Sequence, residues 1–471
     1  MPLSDKQREH LIGIVGRNAA LWTESDLRLY EYDGSVDKAL PELVLFASNT
    51  EHVSRILAYC SSEGIPVVGR GAGTGLSGGA IPREGGVVLS LVRMNQVLEM
   101  NLEDEYLKVQ PGVVNLDLTV MLQPHGYFYA PDPSSQRACT VGGNVAENAG
   151  GPHTLVYGVT TNHVLGLEFV TADGEVHTAG GPEGGLPGID VRGFLIGSEG
   201  TLAIVTAIWV RIMRNPEAVE AMVAIYDEPE QAGESVSAII GDGILPIALE
   251  MMDGVMLRMV EEATHAGYPL DAAAVLLIEL AGASEEIADQ LARVQEICTN
   301  NGAREIRVAR DSAERALLWK GRKNAFGAIG RVSPTYYVQD GVVPRSKLPK
   351  LLKYIQTVAD RHQLTISNIF HAGDGNLHPI ILFDAKKEGD LDRAKLAGDE
   401  ILMMCVAEGG TITGEHGVGM EKNELFGELY SQELQQHLRE LKELLDPNWV
   451  LNPGKLLPAS LSLRTREERV A

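Results

Sequence analysis

Cysteine is scarce in this sequence, and its four residues lie far apart. Cys60, Cys139, Cys298 and Cys405 form no CxxC pair. A disulfide framework, a zinc ribbon and an iron–sulfur cluster all need more closely grouped cysteines, so the sequence argues against each of them in this chain. A reducing cytoplasm is the predicted compartment.

Positive charge is also in short supply. The chain has 40 Lys and Arg against 64 Asp and Glu, which gives a formal net charge of −24 at pH 7. An acidic surface repels nucleic acid and anionic lipid, so we expect neither as a partner. An anionic substrate would need a local positive site. The length of 471 residues exceeds one ordinary core and predicts two or three domains.

Long apolar runs are missing as well. The most apolar region, 194–210, is interrupted by Ser198 and Glu199. It falls short of the roughly 18 apolar residues that a membrane helix needs, so we expect no membrane span. Residues 1–10 are polar, without the charged start and apolar stretch of a targeting segment, and we expect none.

Hydrophobic periodicity and turn residues predict an α+β protein. Ser4 and Gln7 have the spacing of a capping box at the start of a helix. Strands are predicted at 43–46, 66–69, 87–92, 164–171, 175–178, 221–226, 244–249, 274–280 and 305–308. Helices are predicted around 53–60 and at 228–240, 284–300, 312–328, 347–362, 391–408 and 431–445. Beyond about residue 214 the alternation predicts helices packed on one face of a sheet.

A glycine-rich loop follows the strand that ends at Gly69. The loop 71–79 contains a formal GxGxxG, which a nucleotide-binding Rossmann unit would follow with a helix. Here Pro82 and the pair Gly85-Gly86 stand before the next strand, and they exclude that helix. The loop is either a flexible surface segment or a nest of backbone N–H groups around an anion.

Further segments rich in small residues favour the second reading. They are 131–135, 140–144, 148–151, 157–158 and 197–201. Several such loops in one domain predict an extended ligand that lies along the backbone.

Together these segments resemble the FAD-binding domain of the vanillyl-alcohol oxidase (PCMH) superfamily. The resemblance implies non-covalent FAD, because the first loop lacks the histidine that attaches flavin in some members. It assigns one group of residues to each of three parts of the cofactor, in the order pyrophosphate, flavin, and adenine or ribose. It also assigns one asparagine near the C-terminus to the FAD site. These are Arg70, Gly71, Ala72, Gly73, Thr74, Gly75, Ser77, Gly78 and Gly79; Pro131, Asp132, Thr140, Gly142, Gly143, Asn144, Asn148, Gly150 and Gly151; Gly197, Glu199, Gly200 and Ile204; and Asn452.

Two histidine motifs stand near the C-terminus. His371 and His378 flank a glycine-rich turn, and Glu415-His416 lies between glycines. Two imidazoles and a carboxylate suit a divalent metal with an open coordination position, and an adjacent histidine can act as a base. Ordinary packed or surface histidines are the commoner outcome for such residues taken alone.

In order along one chain, the two motif sets resemble the FAD-linked 2-hydroxy-acid dehydrogenases. That group includes glycolate oxidase flavin subunits, D-lactate dehydrogenases and D-2-hydroxyglutarate dehydrogenases. The resemblance implies that His371, His378 and Glu415 bind zinc or manganese. It also implies that His416 is the general base and that Arg322 binds the substrate carboxylate. Implied domains are an FAD-binding domain at 1–215, a substrate domain with an antiparallel sheet and flanking helices at 216–425, and a returning helical segment at 426–471.

The resemblance implies metal-assisted hydride transfer from a small 2-hydroxy acid to flavin N5. An apolar surrounding of Phe326, Pro379 and Ile380 favours glycolate or D-lactate over D-2-hydroxyglutarate. The electron acceptor stays open between an iron–sulfur partner subunit, an electron-transfer flavoprotein and a quinone. A homodimer and a peripheral position on the inner membrane face through a partner are open too. The rival readings are a sugar or aromatic-alcohol oxidase, a non-catalytic flavin subunit and a zinc-stabilised binding protein.

Overall fold

The computed structural model describes residues 2–183 and 188–462. The chain divides into two compact units. The first comprises Met1–Gly150, Val159–Arg214 and Glu415–Ala471, and the second comprises Gly151–Gly158 and Asn215–Gly414. Within the described ranges, no helix combines the length and the apolar character that crossing a bilayer requires.

The strands occur both in consecutive runs, such as the four between residues 67 and 109, and between helices. In order they are β1 (Ala20–Leu21), β2 (Leu43–Phe46), β3 (Val67–Arg70), β4 (Val87–Ser90), β5 (Val97–Asn101), β6 (Tyr106–Val109), β7 (Tyr127–Phe128), β8 (Val164–Val170), β9 (Val176–Gly180), β10 (Ile204–Arg211), β11 (Met213–Arg214), β12 (Ala218–Tyr226), β13 (Ala248–Asp253), β14 (Ala274–Gly282), β15 (Glu305–Val308), β16 (Thr335–Val338), β17 (Gly341–Val342), β18 (Thr365–His371), β19 (Asn376–Leu377) and β20 (Pro379–Phe383).

The helices vary from single turns to five turns. In order they are α1 (Asp5–Val15), α2 (Glu24–Leu27), α3 (Thr50–Ser62), α4 (Asn115–Leu122), α5 (Val141–Glu147), α6 (Thr154–Tyr157), α7 (Val191–Leu195), α8 (Pro229–Gly241), α9 (Gly254–Thr264), α10 (Ser284–Asn300), α11 (Ser312–Lys323), α12 (Ala325–Ile329), α13 (Leu348–His362), α14 (Asp390–Ala407), α15 (Asn423–Leu429), α16 (Gln432–Leu445) and α17 (Ala459–Ser462). Short 3₁₀ helices lie at Arg17–Ala19, Arg28–Tyr30, Gln123–His125, Thr160–Asn162 and Arg345–Lys347.

A small, mostly parallel sheet opens the first unit. Its strand order is β1-β2-β4-β3, with β1 antiparallel to β2 and the other pairs parallel. The predicted capping box of Ser4 and Gln7 is present at the start of α1, and α1 and α3 bury their apolar faces against this sheet. Residues 71–86, all of which the structure describes, contain no helix. The exclusion of a Rossmann unit is therefore confirmed.

An antiparallel sheet completes the first unit, with strand order β5-β6-β10-β8-β9. The predicted hairpin across Asp173-Gly174 is confirmed as the β8–β9 pair. Gly174 adopts φ 87°, and its N–H donates to the carbonyl of Thr171. This left-handed conformation is the reason that a glycine stands in the turn.

One antiparallel sheet forms the centre of the second unit. Its order is β15-β12-β14-β13-β18-β19-β17, and β20 pairs with both β18 and β16. Helices α8, α10 and α13 pack their apolar side chains into the core on one face. Met252 and Leu277 are buried although they lie outside that core, and α9 contacts the same strands. Helices therefore flank both faces of the sheet, and the prediction that they pack on one face was wrong.

Two predicted elements of this unit were wrong. The strand predicted at 244–249 is β13, Ala248–Asp253, because Pro246 interrupts the earlier apolar run and the less β-prone Met251 and Met252 continue the strand. The helix predicted at 312–328 breaks at Asn324, which has φ −102° and separates α11 from α12. Helix α9 was not predicted.

Asp253 connects α9 to the sheet. Its carboxylate accepts from Met256 N at 2.8 Å as the helix cap, and also from Ser367 Oγ and Asn368 N.

We expect Asp253→Ala to lower the free energy of unfolding by about 2–4 kcal/mol, because the buried donors lose their acceptor. The matched control is Asn49→Ala, which removes the exposed cap of α3 and should cost about 1 kcal/mol. Urea titration of both variants checks this, and equal losses would contradict it.

Candidate functional site

The glycine loop after β3 contains positions that only glycine can occupy without backbone strain or a steric clash. Gly73 and Gly78 adopt φ 70° and 79°. A Cβ added to Gly71 would lie 2.3 Å from Thr140 Oγ1, and one added to Gly73 would lie 2.2 Å from the Arg70 guanidinium. Glycine is therefore required at these positions by the left-handed backbone and by the close approach of Thr140 and Arg70, and the role of the loop as an anion nest stays a prediction.

The segment predicted as a small-residue loop after Thr140 is a helix instead, α5. Thr140 Oγ1 accepts from Gly143 N at 3.2 Å, and this N-cap starts a helix despite the two glycines. Gly142 packs against Pro111, where a Cβ would come within 2.4 Å of the proline ring. Asn148 ends the helix in the left-handed conformation, with φ 55°.

Asn115 connects two of the predicted flavin segments and was missed in the sequence. It is 2% exposed, and its Nδ2 donates to the carbonyl of Pro131 at 3.0 Å and to Asn144 Oδ1 at 2.9 Å. No motif contains this residue, so the sequence carries no signal for it. The predicted FAD residues Gly150 and Gly151 fall on either side of the division between the units.

The C-terminal segment holds the glycine loop through Asn452 and Lys455. Asn452 Nδ2 donates to the carbonyls of Gly79 at 2.9 Å and Glu199 at 2.6 Å. Lys455 Nζ donates to the carbonyls of Ile81 at 2.6 Å and Gly79 at 3.3 Å. Burial lowers the pKa of Lys455 to about 8, against the opposing effect of nearby carboxylates. Lys455 was not among the predicted site residues, although it closes the NPGK sequence.

Glu199 binds the loop that carries the predicted base. Its two carboxylate oxygens accept from Val418 N and Gly419 N, both at 2.7 Å, and Ser77 Oγ donates to the carbonyl of His416 at 2.9 Å. Burial raises the pKa of Glu199, although the two backbone hydrogen bonds oppose the shift. The predicted contact of Glu199 with adenine or ribose stays a prediction.

Glu147, at the end of α5, is a second buried carboxylate of the first unit. Burial, followed by the charges of Glu199 and Asp33, raises the pKa of Glu147 well above its ordinary value. Its side chain packs against Gly79, where an added Cβ would lie only 2.6 Å from Glu147 Oε1. Glu147 was not predicted.

His371 and His378 lie together in the second unit. His371 ends β18 and His378 stands between β19 and β20, so the turn at 372–375 brings their rings to a centroid distance of 5.1 Å. Both are 3% exposed. The other two predicted residues, Glu415 and His416, belong to the first unit. Glu415 directly follows Gly414 in the chain, and its Oε1 lies 3.5 Å from His416 Nε2.

Two fully buried carboxylates accompany these histidines, and neither was predicted. Glu250 Oε1 lies 2.7 Å from His371 Nδ1, and Glu250 Oε2 accepts from Arg322 Nε at 2.6 Å. Burial alone would raise the pKa of Glu250, but the charges of Arg322 and His371 bring it below its ordinary value.

Asp340 is the second carboxylate. Its Oδ2 accepts from Thr413 Oγ1 at 2.6 Å and from Gly414 N at 2.9 Å, and its Oδ1 lies 3.5 Å from His378 Nε2. It thereby fixes the last residue before Glu415. Its position just after the strand-like run 335–338 was the signal in the sequence that could have identified it.

The residues predicted to surround the substrate have both apolar and polar neighbours. The Phe326 and Tyr336 rings lie 6.4 Å apart, and Ile380 is fully buried in β20. Lys323 Nζ lies 5.4 Å from the centroid of the Trp319 ring.

The hydrogen bonds of Asn452 give a test for the glycine loop. We expect Asn452→Ala to weaken FAD binding about tenfold, because one lost bond to Gly79 is worth about 1–1.5 kcal/mol. Asn448→Ala is the control, since its Nδ2 makes two similar bonds to Ser61 away from the loop. Titration of apoprotein by quenching of flavin fluorescence checks both, and equal affinities of the two variants would contradict the expectation.

Comparison with known proteins places the chain in a family. The model of the FAD binding domain matches residues 41–180, and the model of the C-terminal domain of FAD linked oxidases matches 215–456. The chain is 45% identical over 453 residues to the glycolate oxidase subunit GlcD of Escherichia coli (strain K12), which covers 96% of this chain and 90% of the relative. It is 32% identical to a D-lactate dehydrogenase of Anaerostipes hadrus, with coverage of 89% and 90%.

A solved structure supports the fold. p-Cresol methylhydroxylase with substrate bound superimposes with a TM-score of 0.82 over 98% of this chain and 99% of that chain, at 18% identity. The first family model covers the segments 71–79 and 131–151, the second covers the motifs at 371–378 and 415–416, and the Escherichia coli relative covers 96% of the chain at 45% identity, so the predicted membership is confirmed. The protein is an FAD-linked oxidoreductase of the FAD-linked oxidase family, within the vanillyl-alcohol oxidase superfamily.

Proposed function

We propose that the protein oxidises a small 2-hydroxy acid, glycolate or D-lactate, to the 2-oxo acid and passes the electrons to a separate acceptor. One observation carries the proposal: Arg322 and His371 are held by the same buried carboxylate, with His378 beside them. An anion-binding guanidinium next to two imidazoles suits a substrate that has a carboxylate and a neighbouring hydroxyl. The names of the two relatives favour the same substrates.

The donor set fits a divalent cation. His371 has its Nδ1 at Glu250, so a cation would be coordinated through Nε2, and His378 and Glu415 would supply further ligands. Imidazole and carboxylate together suit zinc or manganese. When bound, the metal would lower the pKa of the substrate hydroxyl, and the flavin would accept the hydride at N5.

Each side chain then has a defined task. Arg322 would bind the substrate carboxylate through two parallel hydrogen bonds. His416 would take the hydroxyl proton, which suits an imidazole near neutral pH. The backbone of the His416 loop is held by Ser77 and Glu199, so the base sits on a fixed support.

The electrons must leave through another molecule. All four cysteines of the chain lie in the described ranges and are buried, and their wide spacing in the sequence offers no group of ligands for iron and sulfur. An iron–sulfur partner subunit is our first candidate, and the subunit naming of the relative favours it. Electron-transfer flavoprotein and quinone are the other candidates. A cytoplasmic location stays a prediction.

Substrate choice is tested by flavin bleaching. Glycolate, D-lactate, L-lactate and D-2-hydroxyglutarate are added separately to anaerobic, FAD-loaded protein, and loss of the visible absorbance of oxidised flavin is followed. We expect rapid bleaching by glycolate or D-lactate. Much faster bleaching by D-2-hydroxyglutarate would show that this acid, and not glycolate or D-lactate, is the preferred substrate. Bleaching by none of the acids would favour a non-catalytic flavin subunit.

Metal dependence gives a further prediction. We expect prior treatment with a chelator to abolish bleaching while the FAD stays bound, because His371, His378 and Glu415 are not among the residues predicted to bind FAD. Zinc or manganese should restore the reaction. Undiminished bleaching by protein shown to be metal-free would contradict the metal-assisted mechanism.

The role of His416 is tested by His416→Asn. We expect kcat to fall by about 10²–10⁴, the usual contribution of a general base, with unchanged FAD content. His437→Asn is the control, because His437 is an exposed residue of α16 that pairs with Glu440. If both variants turn over like the wild type, His416 is not the base.

A further inference from the structure

Glu250 occupies a position that the sheet itself defines. It lies in β13 directly opposite His371 of β18, in antiparallel register. Its side chain is fully buried, and both oxygens are engaged, Oε1 by His371 Nδ1 and Oε2 by Arg322 Nε. The carboxylate therefore touches two residues that reach it from different elements.

The contact with His371 fixes the imidazole. A carboxylate at 2.7 Å from Nδ1 accepts the proton on that nitrogen, and this selects the tautomer whose Nε2 lone pair can coordinate a cation. The same hydrogen bond sets the rotation of the ring. Metal-binding histidines commonly depend on such a partner for their affinity.

The contact with Arg322 fixes the guanidinium. Glu250 binds the Nε edge, and among the described residues this is the hydrogen bond that the Arg322 side chain makes. A planar guanidinium held at Nε presents its two terminal nitrogens in one orientation, which is the pair that can bind a carboxylate. Since Arg322 is 2% exposed, Glu250 also supplies its neutralising charge.

We propose that Glu250 is a positioning residue that sets the geometry of the metal ligand His371 and of the substrate-binding Arg322 at the same time. The inference rests on the proposed function. One rigid carboxylate would thus fix the distance between the site for the substrate carboxylate and the site for the substrate hydroxyl. Loss of Glu250 should therefore affect metal affinity and substrate affinity together.

Glu279 offers a matched comparison within the same sheet. It lies in β14, is 3% exposed, and accepts from Trp319 Nε1 at 2.6 Å. It also lies 3.1 Å from His153 Nε2 and 3.4 Å from Arg315 Nε. It is thus a buried carboxylate with an imidazole and a guanidinium partner, and within the described part of the chain its hydrogen bonds and ion pairs go to residues outside the proposed site.

The experiment compares Glu250→Gln and Glu250→Asp with Glu279→Gln in FAD-loaded protein. Zinc and manganese affinities are measured by competition with a coloured chelator, and kcat and KM are measured with glycolate and D-lactate. FAD content and circular dichroism report folding. We expect Glu250→Gln to weaken metal binding about 10–100-fold and to raise KM, with FAD content unchanged. Glu250→Asp keeps the charge and should recover part of the metal affinity and part of the change in KM. If Glu250→Gln does not fold, the comparison is made with Glu250→Asp alone. Glu279→Gln should match the wild type.

The outcomes separate the two proposals. If the wild type binds metal and oxidises an acid while the Glu250 variants match Glu279→Gln in both affinities, the positioning role is overturned and the function stands. If the wild type binds no divalent cation and oxidises none of the acids, the proposed function is overturned, and the role of Glu250 with it. A joint loss in the Glu250 variants alone supports the role.

Discussion

The return of the C-terminal segment to β3 is the constraint on which the rest of the first unit depends. Val67 N donates to the carbonyl of Val450, and Asn452 N donates to the carbonyl of Val67, so the segment runs beside the strand that leads into the glycine loop. Asn452 and Lys455 then bind the end of that loop. A glycine-rich loop has high conformational entropy in the unfolded chain, and these contacts hold it in one shape.

Buried carboxylates likewise hold loops and side chains in one position elsewhere in the molecule. Glu199 holds the backbone of the His416 loop, Glu250 holds His371 and Arg322, and Asp340 holds Gly414. Removing a carboxylate from water is costly unless hydrogen bonds or opposite charges satisfy it. Each of these residues meets that condition only when the loops and strands around it are correctly placed. They therefore connect the fold to the chemistry.

Local patterns were enough for much of the secondary structure. The strand 43–46, the strand 305–308 and the helix 284–300 were predicted to the residue, because apolar periodicity and clear end signals coincide there. The strand β13 was misplaced, and α9 was missed, because methionines carry little strand signal and the cap Asp253 depends on partners in β18. Thr140 turned a predicted loop into a helix through one side-chain hydrogen bond.

The sequence by itself determined the family, the glycine loop and the types of donor available for chemistry, since these reside in short motifs with fixed spacing. The tertiary structure alone decided which partner each buried charge meets. Glu250 and Arg322 are 72 residues apart, and Lys455 and Gly79 are 376 apart. No local pattern encodes such pairs, because the sheet register and the path of the chain bring them together only after the whole fold has formed.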